Sequence, residues 1–315
     1  MDQIIPKIVI KNNIHDIVKN DADAFKHILT SEHCSEELLL KKNNGNTVFM
    51  IACKFQPDVV KYIIESEHCS KKLILQQTET GSNILKNACY NKSNAVQDIF
   101  ETEYCFKDLF LKQNKYGINA LMIACLYQPD AVKYILDSEY CSKELLLQQT
   151  ENGYSAFMIA CRYCAESVKY ILDSKYCSEH MLMQQNKDGT NALMLCQNKT
   201  ESFKSILNSQ CCSEEVLMQQ DNNGANTLMI GCYFHPDVVK YICESEYCSE
   251  ELLMQQNKNG SNALMVAIIH QPKVVQYILG SKYMYEIKRK YKQSYLTQLY
   301  YNMCHNKYHQ MLSCK

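Results

Sequence analysis

The chain of 315 residues lacks several features that would assign it to a class of protein at once. No apolar run approaches the ~20 residues that a membrane-spanning helix needs. The N-terminus, MDQIIPKIVIKNN, places Pro6 and Lys7 inside its apolar stretch and offers no cleavage site, so it does not read as a signal peptide. The formal net charge of −1 argues against bulk attraction to nucleic acid or to an anionic membrane. We therefore expect an intracellular protein that does not associate with membranes.

Signatures of catalysis are also missing. The sequence has no glycine-rich loop to cradle phosphates and no paired carboxylates. Its nine histidines are scattered, and none has an obvious partner that would make it the base of a nucleophilic cysteine. We therefore expect no enzymatic activity, no small-molecule substrate and no cofactor.

Cysteine, in contrast, is abundant, with 18 residues. Most of these cysteines recur at positions that helical spacing places in a core, so we expect reduced, small and buried side chains. Cys161 and Cys164 form a single CxxC pair, whereas a zinc ribbon needs two. Core filling is the simpler interpretation of that pair, and we expect no metal.

Glycine is scarce, yet seven of the nine glycines recur at steps of 36 residues, with one step of 35. These glycines are Gly45, Gly81, Gly117, Gly153, Gly189, Gly224 and Gly260. A period of this size indicates an array of stacked units, each too small to bury its own apolar face. Such an array has a long continuous surface and few deep pockets, so holding another macromolecule is its expected activity.

The unit that begins at Asn114 shows the expected structure of one repeat. Gly117 predicts a turn with a positive φ, and Asn119 predicts the N-cap of a short helix over residues 120–127. Pro129 then suits the first turn of a second helix, expected to run to about Tyr140. In that helix Lys133 and Asp137 stand one turn apart as a solvated pair. A last helical turn is expected from Ser142, with three apolar leucines before two glutamines.

This pattern resembles the ankyrin repeat, over roughly residues 8 to 281. The matching helix openings read Asn-Ala-Leu-Met at residues 119–122, 191–194 and 262–265. The resemblance implies an all-α solenoid of stacked helix pairs that works as a non-enzymatic scaffold for a protein partner. The segments NALMIAC and KYILDSEYCS are similar to segments of ankyrin-repeat proteins of giant amoeba-infecting viruses. This similarity implies that the protein is located in the cytoplasm of an infected host cell.

The chain departs from the family pattern in three ways. Ala and Met replace the usual Pro and His of the helix opening, and Gln-Pro replaces the Gly-His between the helices. The unit is also about three residues longer than the family's usual period. Because the extra residues fall in the Ser-Glu-Tyr-Cys-Ser segment, an extra helical turn could replace the usual hairpin fingers.

Three segments follow from this organisation. Residues 1–42 hold a degenerate N-terminal capping repeat, residues 43–281 hold seven repeats, and residues 282–315 form a basic, tyrosine-rich cap helix or tail. Two repeats are irregular, one with Lys86 in an apolar helix opening and one that lacks a residue near Cys196. These two repeats are either sites of bending or lower local stability, or the result of neutral sequence change.

The C-terminal tail leaves several alternatives open. Its basic residues interleaved with tyrosines could touch nucleic acid or a membrane surface. Residues 284–288, MYEIK, faintly resemble a segment that recruits ubiquitin ligases in viral ankyrin proteins, although the expected Leu-Pro lead is missing. Cys304, His305, His309 and Cys314 could bind a metal, although a frayed tail is the simpler interpretation.

A partner surface follows from the ankyrin resemblance, which implies contacts from residues beside the turn glycine and at the end of the first helix. Those positions vary most between the repeats and are rich in Tyr, Phe and Arg, which dominate interface energetics. Packing between adjacent repeats is the alternative role for the same side chains. The candidates are Phe55, Tyr116, Ile118, Tyr127, Tyr154, Arg162, Tyr163, Tyr233 and Phe234.

Overall fold

The computed structural model describes residues 7–91, 94–102, 107–196 and 198–283. Each of the first seven repeats contributes a first helix, a second helix and a short third helix, in that order, and the last contributes a first and a second helix within the described residues. The first helices are Lys7–Asn20, Val48–Phe55, Ile84–Tyr90, Ala120–Tyr127, Ala156–Tyr163, Ala192–Leu195, Thr227–Phe234 and Ala263–His270. The second helices are Ala22–Leu29, Val60–Glu65, Ala95–Glu101, Pro129–Asp137, Ala165–Leu172, Thr200–Leu207, Pro236–Glu244 and Val275–Gly280. Two of them follow a 3₁₀ turn, at Pro57–Val59 and Pro272–Val274.

The third helices are shorter and end each repeat. They are Glu36–Leu40, Lys71–Ile74, Lys107–Leu111, Lys143–Leu147, Glu179–Leu182, Glu214–Met218 and Glu250–Met254. Strand structure is confined, in the described part of the chain, to Lys42–Asn43 paired antiparallel with Asn46–Thr47 and to an isolated bridge between Gln149 and Ser155.

The chain divides into two compact units, Met1–Tyr176 and Cys177–Lys315, here called unit 1 and unit 2. In unit 1 successive first helices pack side by side, and successive second helices do the same. Unit 2 repeats this arrangement from Ala192 to Gly280. The buried faces of the helices are mainly Leu, Ile, Val, Met, Ala and Cys, so within each unit a repeat buries its apolar residues against the next.

The helix starts match the sequence prediction. The Asn119 side chain accepts a hydrogen bond from the backbone N–H of Met122 at 2.9 Å, which caps the helix Ala120–Tyr127. Ser142 caps the third helix Lys143–Leu147 in the same way. The second helix of this repeat, however, ends at Asp137 rather than at Tyr140 as predicted, because Ser138 leaves the helical conformation.

The predicted pair of Lys133 and Asp137 is a second difference. No ion pair joins these two side chains, although both lie in the described part of the chain, while the corresponding Lys61 and Glu65 approach to 3.8 Å. Both sites are exposed, where such pairs contribute little.

The turn glycines have φ between 73° and 82°, as predicted. Around Gly117 the turn is closed by hydrogen bonds from Gly117 N–H to the Asn114 carbonyl and from Asn114 N–H to the Ile118 carbonyl, both at 2.9 Å. The turn also joins the next one, because Glu151 N–H donates to the Tyr116 carbonyl at 3.0 Å. The fingers are therefore short turns, and the third helix takes up the extra residues.

Side-chain amides link the repeats at the place where each third helix ends. The Asn119 Nδ2 donates to the Gln148 Oε1 at 2.8 Å, and the Gln148 Nε2 donates back to the Leu111 carbonyl of the preceding repeat at 2.9 Å. The Gln113 Nε2 donates forward to the Gln149 carbonyl at 2.9 Å. Unit 2 repeats this pattern, here called the amide ladder, with Asn226, Gln255 and Gln220. Because the cap asparagines are buried, each repeat needs these bonds to satisfy its polar groups.

Lys86 takes a place in this ladder. In its repeat, Lys112 takes the position of the first of the two paired glutamines, which is Gln148 in the next repeat. Lys86 takes the position of a methionine, which is Met122 in the next repeat. The Lys86 side chain is buried, and its Nζ donates to the Gly81 carbonyl at 2.7 Å and to the Lys112 carbonyl at 3.1 Å. Burial lowers the pKa of the Lys86 ammonium to about 8. The irregular repeat thus adds an ammonium donor where other repeats have an apolar methionine, while the Gln77 amide still donates to the Gly81 carbonyl at 2.9 Å.

The cysteines follow the prediction with one exception. Cys53, Cys89 and Cys125 are fully buried in first helices and carry free thiols. The prediction of reduced cysteines is wrong for Cys177 and Cys211, which form a disulfide within unit 2. Cys211 occupies the position at which other repeats carry a tyrosine that contacts the preceding repeat. Tyr247 is an example, because its hydroxyl donates to the Cys212 carbonyl at 3.3 Å. That position faces the preceding repeat, so a cysteine there meets Cys177.

We predict that Gly117→Ala destabilises the protein by more than about 2 kcal/mol, since a left-handed residue with a Cβ costs roughly 1–2 kcal/mol alone. The new Cβ would also lie 2.8 Å from the Thr150 Cα and the Glu151 nitrogen. Gly260→Ala is the matched control, because φ there is 73° but no atom of the described residues lies within 4 Å of a Cβ. Denaturant unfolding measures both, and equal losses would show that the contact with the next turn is unimportant.

We also predict that Lys86→Met gains stability relative to the wild type at neutral pH and loses this gain as the pH rises. The folded pKa of about 8 lies below the ordinary value of 10.5, so the unfolded chain binds more protons between these values. Wild-type stability from this group therefore rises with pH across that window. The difference between variant and wild type should shrink by about 2 kcal/mol from about pH 7.5 to about pH 9.5.

The measurement is denaturant unfolding of both proteins at the two pH values. Using the difference removes contributions from the cysteines and tyrosines, which the two proteins share. Lys133→Met is the control, because the Lys133 side chain is exposed and its removal should change stability equally at both values. A Lys86→Met difference that does not vary with pH would contradict the prediction.

Candidate partner-binding surface

Four exposed aromatic residues stand at the ends of successive first helices in unit 1. They are Phe55, Tyr90, Tyr127 and Tyr163, with exposed fractions of 42%, 54%, 38% and 55%. Their helices pack side by side, so the four rings form a row, here called the aromatic stripe. Contiguous apolar surface of this kind is uncommon on a soluble protein and marks interaction sites.

Neighbouring side chains hold the rings of the stripe in place. Tyr90 and Tyr127 meet edge to face, with ring centroids 4.8 Å apart. At the start of the stripe, the ammonium groups of Lys19 and Lys54 lie 5.0 Å and 5.1 Å from the centroid of Phe55. Ordered aromatic side chains lose less entropy on binding than mobile ones, so these contacts favour a preformed site.

Arg162 connects the stripe to the turns. Its Nη1 donates to the Tyr154 hydroxyl at 3.1 Å, and its guanidinium lies 5.5 Å from the centroid of Tyr163. In the preceding turn the Lys115 ammonium lies 4.9 Å from the centroid of Tyr116, which is exposed. The turn tips and the helix ends of unit 1 therefore form one surface.

The sequence-predicted residues divide by exposure. Phe55, Tyr116, Tyr127, Arg162, Tyr163 and Phe234 are exposed, and Ile118, Tyr154 and Tyr233 are half-buried. Among the half-buried residues, Tyr233 packs against His270 of the next repeat, and the partner-binding role of the set stays a prediction. Tyr90 was missed although it lies nine residues after its turn glycine, the same position that Arg162 and Tyr233 occupy in their repeats.

Unit 2 carries its own group of rings at the equivalent positions. Tyr233 lies with its centroid 4.5 Å from that of His270 and 5.7 Å from that of Phe234. Phe234 is 66% exposed and Ile269 is 41% exposed. Sequence reasoning missed Ile269 and His270, because neither residue matches the aromatic and arginine pattern used to select candidates.

The second helices present a different, more polar surface in unit 1. Tyr62 and Tyr134 are exposed there, but Lys26 lies 4.7 Å from the Tyr62 centroid, and the Tyr134 hydroxyl donates to the Gln97 Oε1 at 3.5 Å. A groove of about 330 Å³ opens beside Tyr134, and Asp130 and Asp137 are among its lining residues. These tyrosines are single rings among charged side chains rather than a row.

The buried cysteines are poor nucleophiles. Burial raises the pKa of Cys89 and of Cys232 to about 12 and raises that of Cys125 still further, so these thiols stay protonated near neutral pH. In the residues that the structure describes, no group of three or more His, Cys, Asp or Glu side chains could hold a metal ion. No helix in that part of the chain has the length and apolar character to cross a bilayer.

The candidate segments of the tail lie outside the described residues. These are the possible metal ligands Cys304, His305, His309 and Cys314, the ligase-like residues 284–288 and the basic stretch that follows. The structure therefore says nothing about them.

Comparison with known proteins agrees with this arrangement. A family model described as ankyrin repeats (3 copies) matches residues 103–180 and 196–291, which is more than half of the chain. Among solved structures, the chain is similar to the ankyrin repeat domain of Bcl-3, a unique member of the IkappaB protein family. That likeness has a TM-score of 0.56 and 16% identity, covers 75% of this chain and 99% of that chain, and shows the fold alone. No curated protein sequence matches the chain. The predicted all-α repeat fold is confirmed, and the chain belongs to the ankyrin repeat family.

Proposed function

We propose that this protein is a non-enzymatic scaffold that binds another protein through the aromatic stripe of unit 1. The observation that carries the proposal is the row of four exposed rings at the ends of adjacent first helices. Ankyrin repeats are in general protein-interaction modules, so membership of this family also supports the proposal.

The energetics of the stripe support this role. Aromatic and arginine side chains supply most of the hot spots of protein interfaces, where truncation costs about 2 kcal/mol or more. Here Tyr127, Tyr163 and Arg162 lie in the middle and at one end of the row, with their side chains already held by neighbours. Leaving such rings in water has a hydrophobic cost, which a partner would remove.

The turn residues extend the proposed surface. Tyr116, Ile118 and Tyr154 flank the turn glycines, and Arg162 joins Tyr154 to the helix end. A partner lying along the row would therefore touch both the turns and the helices. In unit 2 we propose the same role for Tyr233 and Phe234, as a separate contact area.

The partner is proposed to be a host or viral protein. This proposal rests on the similarity of the repeat sequence to ankyrin-repeat proteins of giant amoeba-infecting viruses. It implies a location in the cytoplasm of an infected cell. The ubiquitin-ligase and nucleic-acid alternatives depend on residues 284–315, and no described residue adds support to either.

We predict that replacing Tyr127 and Tyr163 together by alanine weakens partner binding by roughly 30-fold or more, as expected for two hot-spot rings. Stability should fall by about 0.5–1.5 kcal/mol for the edge contact between Tyr90 and Tyr127, and by about 1–2 kcal/mol more for the apolar area that the two partly covered rings bury. The measurement is capture of partners from lysate of the cells that express the protein, followed by affinity titration and thermal unfolding.

The matched control is Tyr62→Ala with Tyr134→Ala, because these rings are 48% and 43% exposed but lie on second helices. This control should retain the partner. A partner held equally by both double variants would place the binding surface elsewhere, and a large loss of stability in the first variant would assign its rings to packing.

A further inference from the structure

The cations beside the aromatic stripe have aromatic neighbours instead of carboxylates. Lys19 and Lys54 lie over Phe55, and Arg162 lies over Tyr163. All three side chains are exposed. A cation over an exposed ring gains only about 0.5–1 kcal/mol and keeps its charge, so it remains able to pair with an anion.

Ion pairs formed by the described residues lie on other parts of the repeats. Lys26 pairs with Asp23 and Lys61 pairs with Glu65, in both cases within a second helix. A third pair joins two third helices, where Lys107 lies 3.5 Å from Glu144. None of the ion pairs in the described ranges involves Lys19, Lys54 or Arg162, so the positive charges next to the stripe are not neutralised by the protein itself.

The two faces of unit 1 therefore differ in charge. At the turn tips and first-helix ends, the exposed cations Lys19, Lys42, Lys54, Lys115 and Arg162 outnumber the exposed carboxylates Asp16, Asp21, Glu79 and Glu151. On the second helices the carboxylates outnumber the cations, as in the groove lined by Asp130, Asp137 and Lys133. There they lie close enough together that Glu101, Glu65 and Asp58 all act to raise the pKa of Asp98, although burial is the larger cause.

We propose that the aromatic stripe binds an acidic segment of the partner protein, in which apolar side chains alternate with carboxylates. This proposal rests on the proposed function and adds the chemistry of the partner. The apolar side chains contact the rings of Tyr90, Tyr127 and Tyr163, and the carboxylates pair with Lys19, Lys54 and Arg162. Charge complementarity of this kind selects partners and speeds association more than it adds affinity.

The spacing of the helices sets the spacing in the partner. Packed helices lie about 8–10 Å apart, and an extended chain advances about 3.3 Å per residue. An extended segment lying along the stripe therefore brings an apolar residue to each first helix at about every third position. Three such spacings separate the four rings, so the stripe spans about 10 residues and a peptide of about 12 covers it.

The test uses a displayed library of random peptides of about 12 residues, selected on the immobilised full chain. Enriched peptides are then synthesised with a fluorophore and titrated with wild type and variants. We expect net acidic peptides with an apolar residue at about every third position, whose affinity falls as salt rises. Lys54→Glu with Arg162→Glu should weaken binding roughly tenfold or more, and so should Tyr127→Ala with Tyr163→Ala.

The control is Lys61→Glu with Lys133→Glu, which changes charge by the same amount on the second helices and should alter affinity less than about twofold. Thermal unfolding of each variant confirms that it is folded. Enriched peptides that need Tyr127 and Tyr163 but are neutral or basic would overturn the acidic partner and leave the proposed function standing. The same holds if the charge reversal has no effect. Peptides indifferent to both tyrosines would contradict the proposed function itself. An absence of enrichment would also overturn the acidic segment, since a linear peptide would then not suffice.

Discussion

The fold depends on polar groups that one repeat cannot satisfy alone. The cap asparagines Asn119, Asn191 and Asn226 are buried, and the amide of each is matched by a glutamine whose own amide reaches the preceding repeat. A buried amide without a partner costs about 1–3 kcal/mol, so the repeats are held in a fixed register and not merely pressed together by apolar surface. The turn glycines add a second constraint, because at Gly117 the next turn occupies the space of a side chain. Apolar burial drives the stacking, and these two features determine how it is aligned.

Much of this fold follows from the sequence, because its signals are local and repeated. The turn glycines, the cap at Asn119 and the first helix that follows it are encoded within a few residues. What could not be predicted joins residues about one period apart. From the sequence alone the paired glutamines resemble a linker, whereas in the structure Gln148 bonds to the Leu111 carbonyl. Lys86 is likewise unexpected in an apolar helix, and the structure explains it by its bond to the Lys112 carbonyl. The disulfide of Cys177 and Cys211 depends on the same kind of contact, which no local pattern shows.

The candidate surface was partly predictable for a related reason. Positions that stacking does not use are free to vary, so variation between repeats marked most of the residues at the turns and helix ends. The structure adds what variation cannot show, namely which side chains touch. Arg162 joins a turn to a helix end, and Lys54 covers a ring without a carboxylate nearby. The ring of Tyr90 joined the set when the structure showed it exposed and in edge contact with Tyr127.

The amide ladder also bears on how such a chain changes its length. Repeats that carry the cap asparagine and the paired glutamines offer the same donors and acceptors to the repeat before them, so such a repeat could be gained or lost and leave matching groups at the new junction. A change that is not a whole period has to be absorbed inside one repeat, and the repeat after Gly189 shows the result, since its first helix keeps only the four residues Ala192–Leu195. Gain or loss of whole repeats would therefore lengthen or shorten the candidate surface and keep the same contacts between neighbouring repeats.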